Sequence, residues 1–435
     1  MRRISIKKKQ YSKPKREHMC KPEKIIYYLL SATLFVDFIN GIFSNLPIGE
    51  LYRIVILMLL SFYMFKNNIK ALGYILFVFI YIASNSFITF MDTANKFGLK
   101  FDLTMTLKAI YFIVIFQAIR TLYKVNKFNL NTIKKIILNN LYYTPFLFLF
   151  SYILGIGKTS YENMSVGFKG TFMSLNSINV ALIILYIFAL DGLIRNKNKF
   201  KWLCITVFII VPMVLLGTKS SLIFLVFAPI VYLMLNIRLK FTFKKIVLYS
   251  WSFIFVTFAT MILMAMDANA SSGYLGDLLW RQQYLFENRD LLTYLLSGRN
   301  WLLETGSALF FSHINFLELL FGNGYFNIHN HIAMAWHMPD PNAVRPIELD
   351  FFDIFFSYGT LGLVLTYGYF LFYFIKGSRY ASNYMSQPYF VALLTLLIFS
   401  VVGGHVFLEA ISSTFFGLCL AGLFITKEAI KEHIN

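Results

Sequence analysis

The sequence predicts an all-α polytopic membrane protein. Hydrophobic residues make up 58% of it and charged residues only 14%, far from the balance of a soluble domain. Apolar runs of about 18 or more residues, each long enough as a helix to cross a ~30 Å hydrocarbon core, recur from Ile25 almost to the C-terminus. Basic residues gather in every second connection between those runs.

The runs give about twelve spans: 25–43, 46–65, 71–91, 103–123, 136–156, 174–194, 200–217, 219–237, 246–266, 351–375, 388–404 and 408–426. With the N-terminus inside, the inward segments hold 29 of the 40 Lys and Arg: ten ahead of Ile25, and the rest near Lys66, Lys124, Lys197, Lys244, Lys376 and Lys427. The formal charge of +19 is therefore mainly a topology signal, with both termini expected in the cytoplasm. Nucleic acid is not an expected partner, whereas the basic tail 1–24 suits anionic lipid headgroups. The apolar run after that tail is too long for a cleaved signal and reads as an uncleaved anchor. Cys20, Cys204 and Cys419 have neither disulfide nor metal-ligand spacing.

Between helices 1–9 (25–266) and helices 10–12 (351–426) lies one long external loop, 267–350, followed at the far end by a short tail, 427–435. The loop holds nine Asp or Glu, four Arg (Arg281, Arg289, Arg299, Arg345) and no Lys. Arg offers a planar fork that grips carboxylate or phosphate at two points. Within the loop, Arg299–Leu320 has apolar residues at helical spacing and is expected to lie along the membrane surface. The following "FGNGYFNIHNH" is rich in Gly and Asn and is expected to be irregular.

The stretch "RPIELDFFDIFFSYGTLG", Arg345–Gly362, puts Glu348, Asp350 and Asp353 at the start of a membrane-spanning segment. Pro346 suits a helix's first turn, and acids after it complement the helix dipole. That compensation, ~0.3–1 kcal/mol, does not require three acids. Asp350 and Asp353 share one helical face and repel unless something holds them, and acids at a membrane boundary are functional candidates.

Lys219, at the outer end of a span, either snorkels to headgroups or meets an anionic ligand. Arg299 either pairs with a loop acid or does the same. His329, His331 and His337 have gaps of two and six, without the helical pair of a zinc site, so no metal is expected; buried or interfacial histidines are the commoner reading, and one could line a sugar pocket. Asp37, Glu50, Arg53 and Lys108 are further ionisable residues in or beside spans, with partners left open. Trp280, Trp301, Tyr325 and Trp336 are expected either to stack on sugar rings or to anchor at the interface.

Four pieces, "KGTFMSLNSINVA" (169–181), "LLGTKSS" (215–221), "LLSGRNW" (295–301) and "ELLFGNGYF" (318–326), stand in order before "ELDFFDIFFSYGTLG". Together they resemble the O-antigen polymerase and ligase superfamily of bacterial surface polysaccharide enzymes. The resemblance implies glycosyl transfer at the outer face of the plasma membrane, from a sugar chain on undecaprenyl pyrophosphate to an acceptor sugar, without metal or cofactor. Donor and acceptor lipids are then the ligands, and a flippase and chain-length regulators the protein partners. Related members have Arg at the places of Lys219 and Arg299, thought to hold the pyrophosphate; Lys219 keeps the charge but loses the fork. Many also carry a His eleven residues before the Gly that opens a G-x-x-G; counting back from Gly359 lands on Glu348. In this reading Glu348 is the base, its carboxyl raised by desolvation, and Asp350 orients it. Arg299, Lys219 and Arg281 bind pyrophosphate, while His329, His331 and Asp353 meet substrate.

Three other readings stand beside it. A ligase would use nearly the same site. A lipid-linked oligosaccharide flippase or other transporter fits the helix count but usually shows two similar halves. A non-catalytic scaffold would have no need for cations and carboxylates in one cavity.

Overall fold

The computed structural model describes residues 21–93, 95–161, 166–236, 293, 296–312, 315–381 and 383–432, and they build an all-α membrane protein. The helices are α1 (Lys21–Ser31), α2 (Thr33–Ile42), α3 (Ile48–Asn67), α4 (Ile69–Thr93), α5 (Lys96–Lys124), α6 (Leu130–Ile153), α7 (Leu175–Arg195), α8 (Lys199–Leu215) and α9 (Lys219–Asn236). After the segment outside the description come α10 (Arg299–Ser312), α11 (Phe316–Phe321), α12 (Tyr325–Ala335), α13 (Asp350–Leu363), α14 (Tyr369–Ser378), α15 (Gln387–Val402) and α16 (Ala410–Glu432). A small antiparallel hairpin, β1 (Thr159–Tyr161) with β2 (Val166–Phe168), pairs Thr159 with Phe168.

Among the described residues seven helical stretches are long and apolar enough to cross a membrane, and α1 with α2, bent by 55°, makes an eighth if the pair crosses as one. The expected span 246–266 lies outside the described residues. The other expected spans fall on helices, but Lys219–Leu235 and Gln387–Val402 are short, and α8 has 17 residues. Among the described residues length and composition alone therefore support seven or eight crossings.

Side-chain caps start several helices: Asn95, Asn129 and Asn198 accept the N–H of Gly98, Thr132 and Lys201. On α3 the large apolar residues Leu51, Val55, Met58, Phe62 and Phe65 recur at spacings of three and four and are exposed, a face that suits lipid and not water. The centre is made by α5, α7 and α16, whose apolar windows are 78%, 89% and 94% buried. A second, smaller core joins the loop helices: Leu302, Phe310, Ile328, Ile332, Ile347, Leu349 and Phe356.

The described part of the 267–350 segment is more regular than expected. Arg299–Leu320 forms two helices, α10 and α11, and the second opens with a capping box between Asn315 and Glu318. "FGNGYFNIHNH", expected to be irregular, contains α12. Its glycines turn the chain before the helix, and Gly324 at the N-cap supplies no side chain. The cap comes from a distant helix instead: Asp102 on α5 accepts the N–H of Phe326. Pro346 also does not sit in a first helical turn, because α13 begins only at Asp350.

Candidate functional site

Two backbone crossings place the loop on the membrane helices. Gly322 (φ 78°) and Gly359 (φ 67°) adopt left-handed conformations that side chains disfavour. A Cβ on Gly359 would lie 2.3 Å from the Leu320 carbonyl oxygen, and one on Gly322 2.4 Å from the Ser357 carbonyl carbon. The N–H groups of Asn323 and Gly324 donate to the carbonyls of Phe356 and Ser357, both at 3.0 Å. Asn85 on α4 donates to the carbonyls of Phe321 (2.6 Å) and Ser357 (2.9 Å). The pieces "FGNG" and "SYGT" thus dock main chain to main chain.

Glu348 lies just before α13 in a left-handed conformation, φ 63°, unusual for a residue with a long side chain. Its neighbours Ile347 and Leu349 are buried in the small core. The N–H of Ile347 donates to Asp353 Oδ1 at 3.0 Å, and that of Leu349 to Asp353 Oδ2 at 3.1 Å. One carboxylate therefore straddles Glu348 and fixes its backbone from both sides.

Arg299 starts α10 after a tight turn in which Ser297 and Gly298 both have positive φ. Its Nη2 lies 2.7 Å from Glu348 Oε2, with the two side chains 15% and 36% exposed. Nη1 donates to the Leu296 carbonyl at 3.4 Å, and Nε is buried without an acceptor among the described residues. The expected upward shift of Glu348 does not hold. Burial pushes its carboxyl up, but the neighbouring Arg299, together with His405 and Arg345, outweighs burial and holds it below its ordinary value.

Behind this pair lies a buried cluster. His329 Nε2 is 2.6 Å from Asp353 Oδ1, its Nδ1 is 2.8 Å from the Tyr325 carbonyl, and its ring lies 4.2 Å from that of Tyr325. His329 and Asp353, expected to meet substrate, have no exposed side-chain surface and so shape the loop from behind. Tyr325 is equally buried and packs on His329, which leaves no face for a sugar. Asp350, expected to orient Glu348, turns to the segment between α15 and α16. It accepts the N–H groups of Val406 (2.5 Å) and Phe407 (3.0 Å), and its Oδ1 is 3.2 Å from His405 Nδ1.

The remaining candidates are spread. His331 is exposed on α12 and makes no polar contact among the described residues. Lys219 is the half-buried first residue of α9, after Gly217 (φ 64°), on a helix that packs chiefly against α7, α8 and α15. Arg281 and Trp280 lie outside the described residues. Trp301 and Trp336 are partly exposed, and Trp336 Nε1 donates to Thr305 Oγ1 at 3.3 Å.

His405 and Glu409 went unnoticed in the sequence. Their one signal is "GGHVFLEA", a Gly pair with two ionisable residues between apolar segments. Ser177 of "KGTFMSLNSINVA" donates to Glu409 Oε2 at 3.1 Å, and Lys108 and Arg53 lie within electrostatic range of that carboxylate. Arg53 also pairs with buried Asp37. No protein-family model matches the chain, and no curated protein matches it.

Proposed function

We propose that the chain polymerises oligosaccharide repeat units carried on undecaprenyl pyrophosphate, at the outer face of a bacterial plasma membrane and through twelve spans with both termini in the cytoplasm. The observation that carries the reading is the Arg299–Glu348 pair. A guanidinium whose buried Nε–H has no acceptor among the described residues and a half-buried carboxylate meet at the start of a membrane helix, on a backbone fixed from both sides.

The acceptor hydroxyl attacks the anomeric carbon of the donor sugar. The new C–O bond forms as the bond to the lipid pyrophosphate breaks, and the hydroxyl proton passes to Glu348. The leaving pyrophosphate carries the charge, which Arg299 is suited to bind in two places. When phosphate oxygens draw the guanidinium away, Glu348 loses the partner that suppresses its basicity and becomes a better proton acceptor. No step requires a metal or cofactor.

The test is polysaccharide length on gels from a deletion strain carrying wild type, Arg299→Ala or Glu348→Gln at matched expression. Single repeats in the deletion, with neither variant restoring long chains, support the reading. Full-length polymer left unattached in the deletion identifies a ligase, and lipid-linked repeats trapped inside identify a transporter; either overturns it.

A further inference from the structure

Asp350 and Asp353 occupy one turn of one helix face, and both are fully buried. Two carboxylates so placed repel strongly where water does not screen them. The group between them is His405, whose Nδ1 lies 3.2 Å from Asp350 Oδ1 and 3.7 Å from Asp353 Oδ2. The imidazole side chain is itself 9% exposed and is carried by the connection between α15 and α16. That same connection offers the Val406 and Phe407 N–H groups to Asp350. The charged groups facing the ring are Asp350 and Asp353 from α13, Glu348 from the segment before it, and Glu409 from its own connection.

We infer that His405 is a positioning residue for Glu348: a buried cation that holds Asp350 and Asp353 side by side, so that Asp353 keeps its grip on the peptide groups flanking Glu348. The inference rests on the reading of Glu348 as the base. Without the imidazolium, one carboxylate has to turn away or take up a proton. If Asp353 does so, the N–H groups of Ile347 and Leu349 lose an ionised acceptor, and the left-handed backbone at Glu348 loses its restraint. The ring is well suited to stay charged. Burial pushes it down, but the hydrogen bond to Asp350 and the charges of Asp353, Asp350 and Glu348 override burial and raise it to about 9.

The experiment uses the full chain in lipid nanodiscs with a lipid-linked repeat unit, and follows turnover and melting from pH 6 to 10 for wild type, His405→Gln and His405→Lys. Wild-type kcat should fall as pH rises through about 9. His405→Gln should lower kcat at least tenfold below that pH, leave KM for the donor nearly unchanged and lose the alkaline limb. His405→Lys should restore part of kcat and move the limb upward, a response that simple damage to packing would not produce. A His405→Gln protein with wild-type kcat and pH profile overturns the inference, as does an equal loss in Gln and Lys variants. If wild type makes no polymer, the polymerase reading fails and melting alone decides His405. Wild-type stability that falls between about pH 6.5 and about 9, with no such fall in His405→Gln, supports the bridging cation, and parallel curves overturn it.

Discussion

His329 and Asp353 meet at 2.6 Å with no solvent-exposed surface on either side chain, one on a loop helix and the other in the first turn of a membrane helix. Asp353 uses both oxygens beyond this contact, on the Ile347 and Leu349 N–H groups. Asparagine keeps the shape but must turn its NH2 group toward a donor. Asp353→Asn should cost about 3–5 kcal/mol, the usual loss when one partner of a buried pair is removed. Melting in detergent and protease cleavage near residues 345–349 would check it. An unchanged melting temperature with no new cleavage contradicts the role assigned to Asp353.

Gly359 sits where α13 breaks and where the Leu320 carbonyl passes. Gly359→Ala should destabilise by more than the ~1–2 kcal/mol of a left-handed side chain, because the added methyl also strikes main chain that cannot swing aside. Gly73→Ala, at a helical glycine where a Cβ meets nothing within 4 Å, is the control and should be neutral or mildly stabilising. Parallel melts of the two variants decide it.

The pair of Arg299 with Glu348 fixes the sign of an acid response. A carboxyl held low in the folded protein contributes stability above its unfolded value, near 4.5, and that contribution is lost as pH falls through the lower folded value. Wild type should therefore lose melting temperature relative to Glu348→Gln only below about pH 4.5. With Glu348 36% exposed, solvent screening keeps the difference small, and 1 M salt should reduce it further.

Asp37 on α2 and Arg53 on α3 form a further ion pair inside the bundle. Arg53→Met should strand the buried Asp37 carboxylate and cost about 3–5 kcal/mol, whereas Asp37→Leu with Arg53→Met should recover most of that loss. A melt of the two variants and the double variant gives the coupling directly. Additive losses would show that the pair is not coupled.

How much of this was legible in sequence depends on distance along the chain. The apolar runs marked the described membrane helices, and the three-residue spacing of Asp350 and Asp353 put both on one face. Helix α12 was hidden because its amino end is capped by Asp102, 224 residues away, while its local sequence reads as turn. His405 was hidden for the same reason: its meaning comes from α13, and a lone His after two glycines carries little by itself. The role of Asp353 depended on where the peptide groups of 347 and 349 point, which no side-chain pattern encodes. Crossing number is less legible, because hydropathy counts apolar residues and not whether each helix is long enough to pass through the bilayer.

The most extensive helix contact in the described residues joins α5 to α16, helices far apart along the chain. During biosynthesis α5, with Asp102 and Lys108 on it, must wait in the membrane until α16 (Ala410–Glu432) has been translated. An insertion chaperone or a sheath of lipid has to cover that face meanwhile. Chains stopped before Ala410 should therefore be recognised and degraded as unfinished, even though most of their helices have already been inserted.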